Sequence, residues 1–195
     1  FAVSSAGVIT VASTANLDYE TTTSYTLSII AYNAQSSDVA DVTINIVDAN
    51  DAPSAGNDAT GALTEDASTS TVTGTITGTD QDGDTLTYSG ATTGTYGAIA
   101  LSGATWTYTL DNSDADTTAL DAGDTATDSF TMTVSDGTAS DTMTVTITIT
   151  GADDATSAGP DQTGSVTEDA STSTVTDTVA TVEPDGDASV SYSVG

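Results

Sequence analysis

The sequence predicts an all-β protein, built as tandem Greek-key β-sandwich domains in a head-to-tail array. Three observations carry that expectation. Apolar and polar residues alternate with period two, and no stretch sustains a helical period. The alternating runs are short and are separated by Gly, Asp and Asn turns, the pattern of a sandwich. A segment of the chain also returns after 103 residues, close to the size of one domain of ~100 residues.

Strands are expected over Gly7–Val11, Tyr25–Tyr32 and Val42–Val47. In the middle of the chain they are expected over Val72–Thr77, Thr85–Tyr88, Ala98–Leu101, Trp106–Leu110, Ser129–Val134 and Thr142–Thr150. Thr and Val suit a pleated, half-buried surface. Tyr25, Leu27, Ile29 and Ala31 fall on one face, as do Phe130, Met132 and Val134, and Met143, Val145, Ile147 and Ile149. A short helical turn is expected around Thr118–Leu120. Trp106, Tyr108 and Phe130 read first as core residues, because each domain needs its few aromatics for burial. A ligand-stacking platform is the other reading.

The repeat divides the chain. Ser54-Ala55-Gly56 returns as Ser157-Ala158-Gly159, and the ten residues from Thr64 return unchanged from Thr167. Residues 54–153 then form a complete domain. Residues 154–195 read as the front half of a second domain, and residues 1–53 as the back half of one. Neither half buries a sandwich core alone. The expectation is that Gly195 leads into Phe1 of the next unit, either along one polypeptide or by strands donated between copies. A truncated piece with two frayed ends is the plainer alternative.

Composition removes several function classes. The chain has 29 acidic residues and no Lys, Arg or His, for a formal charge of −29. No cation is present to neutralise phosphate, so nucleic acid is not an expected partner, and neither is an anionic membrane surface. No apolar run approaches the ~20 residues of a membrane span, so membrane insertion is not expected. There is no Cys, which leaves stability to burial and to bound metal. An acidic surface repels itself. Divalent cations, high salt or acid relieve that repulsion.

Asp48-Ala49-Asn50-Asp51-Ala52-Pro53 links two strand-rich segments. Asp and Asn offer hard oxygen ligands of the kind calcium takes, and Pro53 stiffens the exit. Taken alone, the hexapeptide reads equally as a polar turn. With Gly7-Val8-Ile9-Thr10, Leu17-Asp18-Tyr19-Glu20 and the strand Tyr25–Tyr32, however, it resembles the C-terminal half of a cadherin repeat. From Gly61 to Gly151 the chain resembles a bacterial VCBS-type cadherin-like repeat. The matching stretches are Thr64-Glu65-Asp66, the run Asp80–Asp84, Gly103–Tyr108, Thr109–Asn112, Phe130–Gly137 and Val145–Gly151.

The resemblance implies calcium (Ca2+) at the interdomain linkers. It assigns Asp18 and Glu20 from the first segment, Asp48, the Asn50 carbonyl and Asp51 from the linker, and Asp80, Asp82 and Asp136 from the central domain. Glu168 joins them if Gly195 leads into Phe1. At the second junction it assigns Glu65, Asp111, Asp153, Asp154, Glu183 and Asp185. That linker, Gly151 to Thr156, lacks the first Asp, the Asn and the Pro, so fewer ions or a looser hinge are expected there.

Catalysis has little to work with. No His, Cys, Lys or Arg is available, and acid pairs are too numerous to mark a glycosidase. The expected role is structural and non-enzymatic: a repeat of an extracellular, calcium-rigidified adhesin stalk or a secreted filament, whose partners are neighbouring copies of itself. The alternative is a calcium-dependent, lectin-like module that reads cell-surface glycans.

Overall fold

The computed structural model describes residues 1–12, 17–168, 174–184 and 191–194. Among them every regular element is a strand. At the front are β1 (Ala2–Val3), β2 (Ile9–Thr10), β3 (Ser24–Tyr32) and β4 (Ser37–Asn45). The central domain holds β5 (Ser54–Ala55), β6 (Ala59–Thr64), β7 (Thr71–Thr75), β8 (Gly78–Thr79), β9 (Thr87–Gly90), β10 (Gly97–Ser102), β11 (Thr105–Leu110), β12 (Thr125–Ser135) and β13 (Ser140–Thr150). Two short strands follow, β14 (Ser157–Ala158) and β15 (Thr181–Val182).

The central domain is a β-sandwich. One sheet has the order β6-β13-β12-β9, the facing sheet β10-β11-β7, and β5 pairs with β8. Every pairing is antiparallel except that of β6 with β13. The period-two pattern explains the packing. Phe130, Met132 and Val134 of β12 and Met143, Val145, Ile147 and Ile149 of β13 all point inward and are buried. They meet Ile99 of β10, Trp106, Tyr108 and Leu110 of β11, and Ile76 and Leu63. Burying each such large side chain stabilises the fold by about 1.5–3 kcal/mol. The three aromatics are therefore core, not a stacking platform, with Tyr108 and Phe130 tilted against each other at 5.8 Å.

Strand β6 was not anticipated. Ala59-Thr60-Gly61-Ala62-Leu63-Thr64 has little β-branched character, and its state is set by the neighbour it pairs with. Gly61 admits that neighbour: a Cβ there would lie 2.9 Å from the Ile147 side chain. The expected helical turn is a short run of turns, in which the Thr118 N–H donates to the Asp114 carbonyl at 3.0 Å and the Leu120 N–H to the Thr117 carbonyl at 3.1 Å. It goes no further because Asp and Gly at 121–124 lead straight into β12.

The buried apolar core lies wholly between Leu63 and Ile149. Outside it, apolar side chains stay open on both flanks. Val3, Ile30, Tyr32 and Val39 are exposed in front, and Val166, Val175, Val179 and Tyr192 behind.

Candidate metal centre

Three stretches converge where the first segment meets the central domain. Glu20 sits within the turn closed by the Thr22 N–H on the Asp18 carbonyl. Asp48 follows β4. Asp82 sits on the turn after β8, whose tight path uses Gly83 at a positive φ of 78°. Carboxylate oxygens of Glu20, Asp48 and Asp82 lie within 4.8 Å of one another, and so do those of Asp80, Asp82 and Asp84. Asp82 belongs to both groups.

The turn is tied to the linker by its own hydrogen bonds. Asp80 Oδ1 accepts the backbone N–H groups of Asp82 at 3.0 Å and Asp84 at 3.2 Å. Asp82 Oδ2 accepts the Asp51 N–H at 2.8 Å. The Asn50 amide donates to Asp136 Oδ2 at 3.0 Å and to the Asp51 carbonyl at 2.8 Å. Asp136 Oδ1 in turn accepts from Thr138 and Ala139, both at 2.6 Å.

Two oxygens complete the picture. Asp80 Oδ2 and Asp82 Oδ1 are buried, and among the described residues no hydrogen-bond donor reaches them. A buried acceptor without a donor costs about 1–3 kcal/mol, and more when charged. No Lys, Arg or His exists anywhere in the chain to compensate. Hard, anionic, converging oxygens with unmet acceptor capacity fit a calcium ion.

Of the residues expected at this junction, Glu20, Asp48, Asp80 and Asp82 come together in these two groups. Asp51 enters through its N–H. Asn50 and Asp136 bond each other beside the cluster. Asp18 is held by its own turn, where it accepts the Thr21 N–H at 3.0 Å and the Thr21 hydroxyl at 2.9 Å. Glu168 is exposed and belongs to neither group. Asp84 was not anticipated. Its signal was the i, i+2, i+4 spacing of Asp80, Asp82 and Asp84.

The second junction is built differently. Gly151 stands where Asp48 stands in the first linker, and it is buried: a Cβ there would lie 2.4 Å from the Asp121 carbonyl oxygen. Packing therefore leaves no room for the missing Asp. Glu65 is buried and Oε2 accepts the Ala152 N–H at 3.2 Å. Asp111 accepts the Ser113 N–H and hydroxyl at 3.0 and 2.6 Å. Asp153 is exposed and Asp154 half-buried, while Glu183 Oε1 is buried and no donor among the described residues reaches it. Asp185 lies outside the described residues. No group of three carboxylates converges at this junction among the described residues.

Electrostatics give the chain a distinct acid response. Partial desolvation pushes the Glu20 carboxyl above its ordinary 4.5, and the Asp48 and Asp82 charges push it the same way. Hydrogen bonds hold four aspartates below their ordinary 3.8. The donors are Thr21 for Asp18, Ser113 for Asp111, Ala139, Thr138 and Asn50 for Asp136, and Ala55 and Thr142 for Asp141. Stability from protonating Glu20 is complete below 4.5 and is lost as pH rises through its higher folded value. Stability from the four aspartates is present above 3.8 and is lost as pH falls through their lower folded values. The calcium-free chain is expected to be most stable between 3.8 and 4.5. Urea midpoints measured across pH in chelator check this, and a midpoint that climbs steadily to neutral pH would contradict it.

A family model for the bacterial cadherin-like domain matches residues 50–151. The chain belongs to the bacterial cadherin-like domain family. Domains of this kind are adhesion-type, non-enzymatic repeats that are typically extracellular. Among solved structures, the cadherin-like chain is similar to mouse protocadherin-24 EC1-3, at 18% identity and a TM-score of 0.45, covering 88% of this chain and 59% of that one. It is similar to human protocadherin-24 EC1-2 at 14% identity and a TM-score of 0.44, covering 71% and 70%. It is also similar to the endo-fucoidan hydrolase MfFcnA4 from glycoside hydrolase family 107, at 22% identity and a TM-score of 0.36. That match covers 66% of this chain and only 19% of the hydrolase. No curated protein matches the chain. No helix among the described residues is long and apolar enough to cross a membrane.

Proposed function

We propose that the chain is a structural unit of an extracellular adhesin stalk or filament, in which calcium at the Glu20–Asp48–Asp82 junction fixes the angle between successive cadherin-like sandwiches. The observation that carries this reading is the convergence of Glu20, Asp48 and Asp82 from three separate stretches, with Asp82 Oδ1 buried and without a donor among the described residues. Glu20 and Asp48 belong to the first unit and its linker, and Asp80, Asp82 and Asp84 to the second. A cation held by Glu20, Asp48 and Asp82 joins the two units and cancels repulsion that otherwise pushes them apart. Asn50 and Asp136 supply a second tie across the junction.

The unit boundaries follow the repeat: 1–53, 54–153 and 154–195, with neighbouring copies head to tail as partners. The second junction, with Gly151 in place of the first Asp, acts as the looser hinge. A catalytic role finds no support in a chain without His, Cys, Lys or Arg. The lectin-like reading loses the Trp106, Tyr108 and Phe130 platform, because all three rings are in the core.

Small-angle scattering of the chain, with calcium and with chelator at matched low ionic strength, tests the proposal. Calcium is expected to sharpen the profile to that of a rigid pair of units, and chelation to broaden it. Profiles equally rigid in both conditions would contradict calcium as the stiffener.

A further inference from the structure

We infer that residues 1–53 of one copy and residues 154–194 of a second copy close into one sandwich, with Gln162–Thr167 of the second copy added in parallel along β4. This rests on the head-to-tail reading above and names its surfaces, its register and its partner.

Each flank already has the local structure of one half of the central domain, shifted by the repeat. In the centre Phe130 pairs with Val145 and Met132 with Met143. In the front hairpin Leu27 pairs with Val42 and Ile29 with Ala40, every residue 103 positions earlier. On the other flank, Ser157 pairs with Val182 as Ser54 pairs with Thr79. The Gly56 N–H donates to the Thr77 carbonyl at 2.7 Å, and the Gly159 N–H donates to the Ala180 carbonyl at the same distance. Gly61 lies against Val72, and Gly164 lies against Val175.

What the flanks lack is each other. Leu63 is 8% exposed in the centre, whereas its counterpart Val166 is 58% exposed. Ile76 is 2% exposed and its counterpart Val179 is 52% exposed. On the front flank, one open groove is lined by Leu17, Ile44 and Ile46, and another by Val3, Leu27 and Ile29. These are the positions that would face the strands found only in residues 154–194.

A second copy supplies the matching strands, because the two flanks of one copy leave its central sandwich at opposite ends. The first segment docks at the turn joining β12 to β13, through Asn50–Asp136. The last segment departs from the opposite end, where Gly151 bonds Asp124. Strands of 11 residues separate the two ends, about 35 Å. The two flanks of one chain therefore point away from each other. A contact of one copy's end with another copy's front is heterologous, and it propagates until it closes or forms a filament.

The central domain supplies the register. Ile147 pairs with Gly61 and Ile149 with Leu63, so Ile44 takes Gly164 and Ile46 takes Val166 of the second copy. Gly164 leaves room for Ile44 as Gly61 does for Ile147. By the same shift, the bond from Ala152 N–H to Glu65 becomes one from Ala49 to Glu168 of the second copy. That sets a further carboxylate beside Asp48.

Sedimentation of the intact chain in high salt with chelator tests this. The chain is expected to form species of several times 19.3 kDa that grow with concentration. Ile44→Asp, which spoils the acceptor, and Val166→Asp, which spoils the donor, are each expected to give monomers. Mixed together, they retain one good acceptor and one good donor, and are expected to stop at a dimer. The buried Trp106 reports by its fluorescence that the central domain stays folded in both variants. A wild-type chain that is monomeric at every concentration, or a mixture of the two variants that stays monomeric or polymerises, would overturn the inference. Asp82→Asn is expected to assemble like wild type under these conditions, so loss of the calcium reading leaves the result standing.

Discussion

Replacing Asp128 with Ala is expected to destabilise the central domain by about 3–5 kcal/mol, from the loss of a shared acceptor for three donors, one of them fully buried. Asp128 is 3% exposed and sits among the inward residues of β12. One oxygen accepts the Thr95 N–H at 2.7 Å; the other accepts the Tyr96 N–H at 3.1 Å and the Tyr108 hydroxyl at 2.7 Å. Three donors, with no cation, hold this carboxylate in the core. Burial and the neighbouring Asp128 push the Tyr108 phenol well above its ordinary value, so it remains a donor at any physiological pH. Alanine removes the acceptor and strands all three donors at once. Tyr108→Phe removes one bond and is expected to cost only about 1 kcal/mol. Against a typical total of about 5–15 kcal/mol, the first change is severe and the second mild. Urea denaturation followed by Trp106 fluorescence separates them, and equal costs would show that the carboxylate is not the anchor described.

Much of this architecture is legible in the sequence, and the exceptions have physical causes. The long inner strands are visible because Phe130 to Val134 and Met143 to Ile149 alternate without interruption. Their ends are less visible: β12 begins at Thr125 and β4 at Ser37, where polar residues extend the ladder without contributing to the core. Strand β6 is hidden because its pairing is decided by β13 and by the space at Gly61, which no local pattern records. Asp128 is hidden too, since a charge in an alternating strand reads as an outward residue until its three donors are known. At the metal centre, the motif order named Glu20, Asp48, Asp80 and Asp82. It did not reveal that Asn50 would spend its amide on Asp136, or that Gly151 would be packed too tightly to tolerate an Asp. Those facts depend on contacts between segments far apart in the chain.

The central claim is that calcium holds the first junction through Glu20, Asp48 and Asp82. A ligand that binds only the folded state raises stability by mass action, by about 4 kcal/mol when present at a thousand times its dissociation constant. The effect should be large here because bound calcium answers the buried Asp82 Oδ1, which no donor among the described residues reaches, and a cluster of like charges. Asp82→Asn preserves shape and the Asp51 hydrogen bond while removing the charge shared by both groups. The decisive measurement is thermal unfolding of the wild-type and Asp82→Asn chains, in calcium and in chelator at matched ionic strength. A calcium-specific rise of about 4 kcal/mol in the wild type that falls to near zero in Asp82→Asn is the predicted result. No rise in the wild type, or the same rise in both chains, would contradict it.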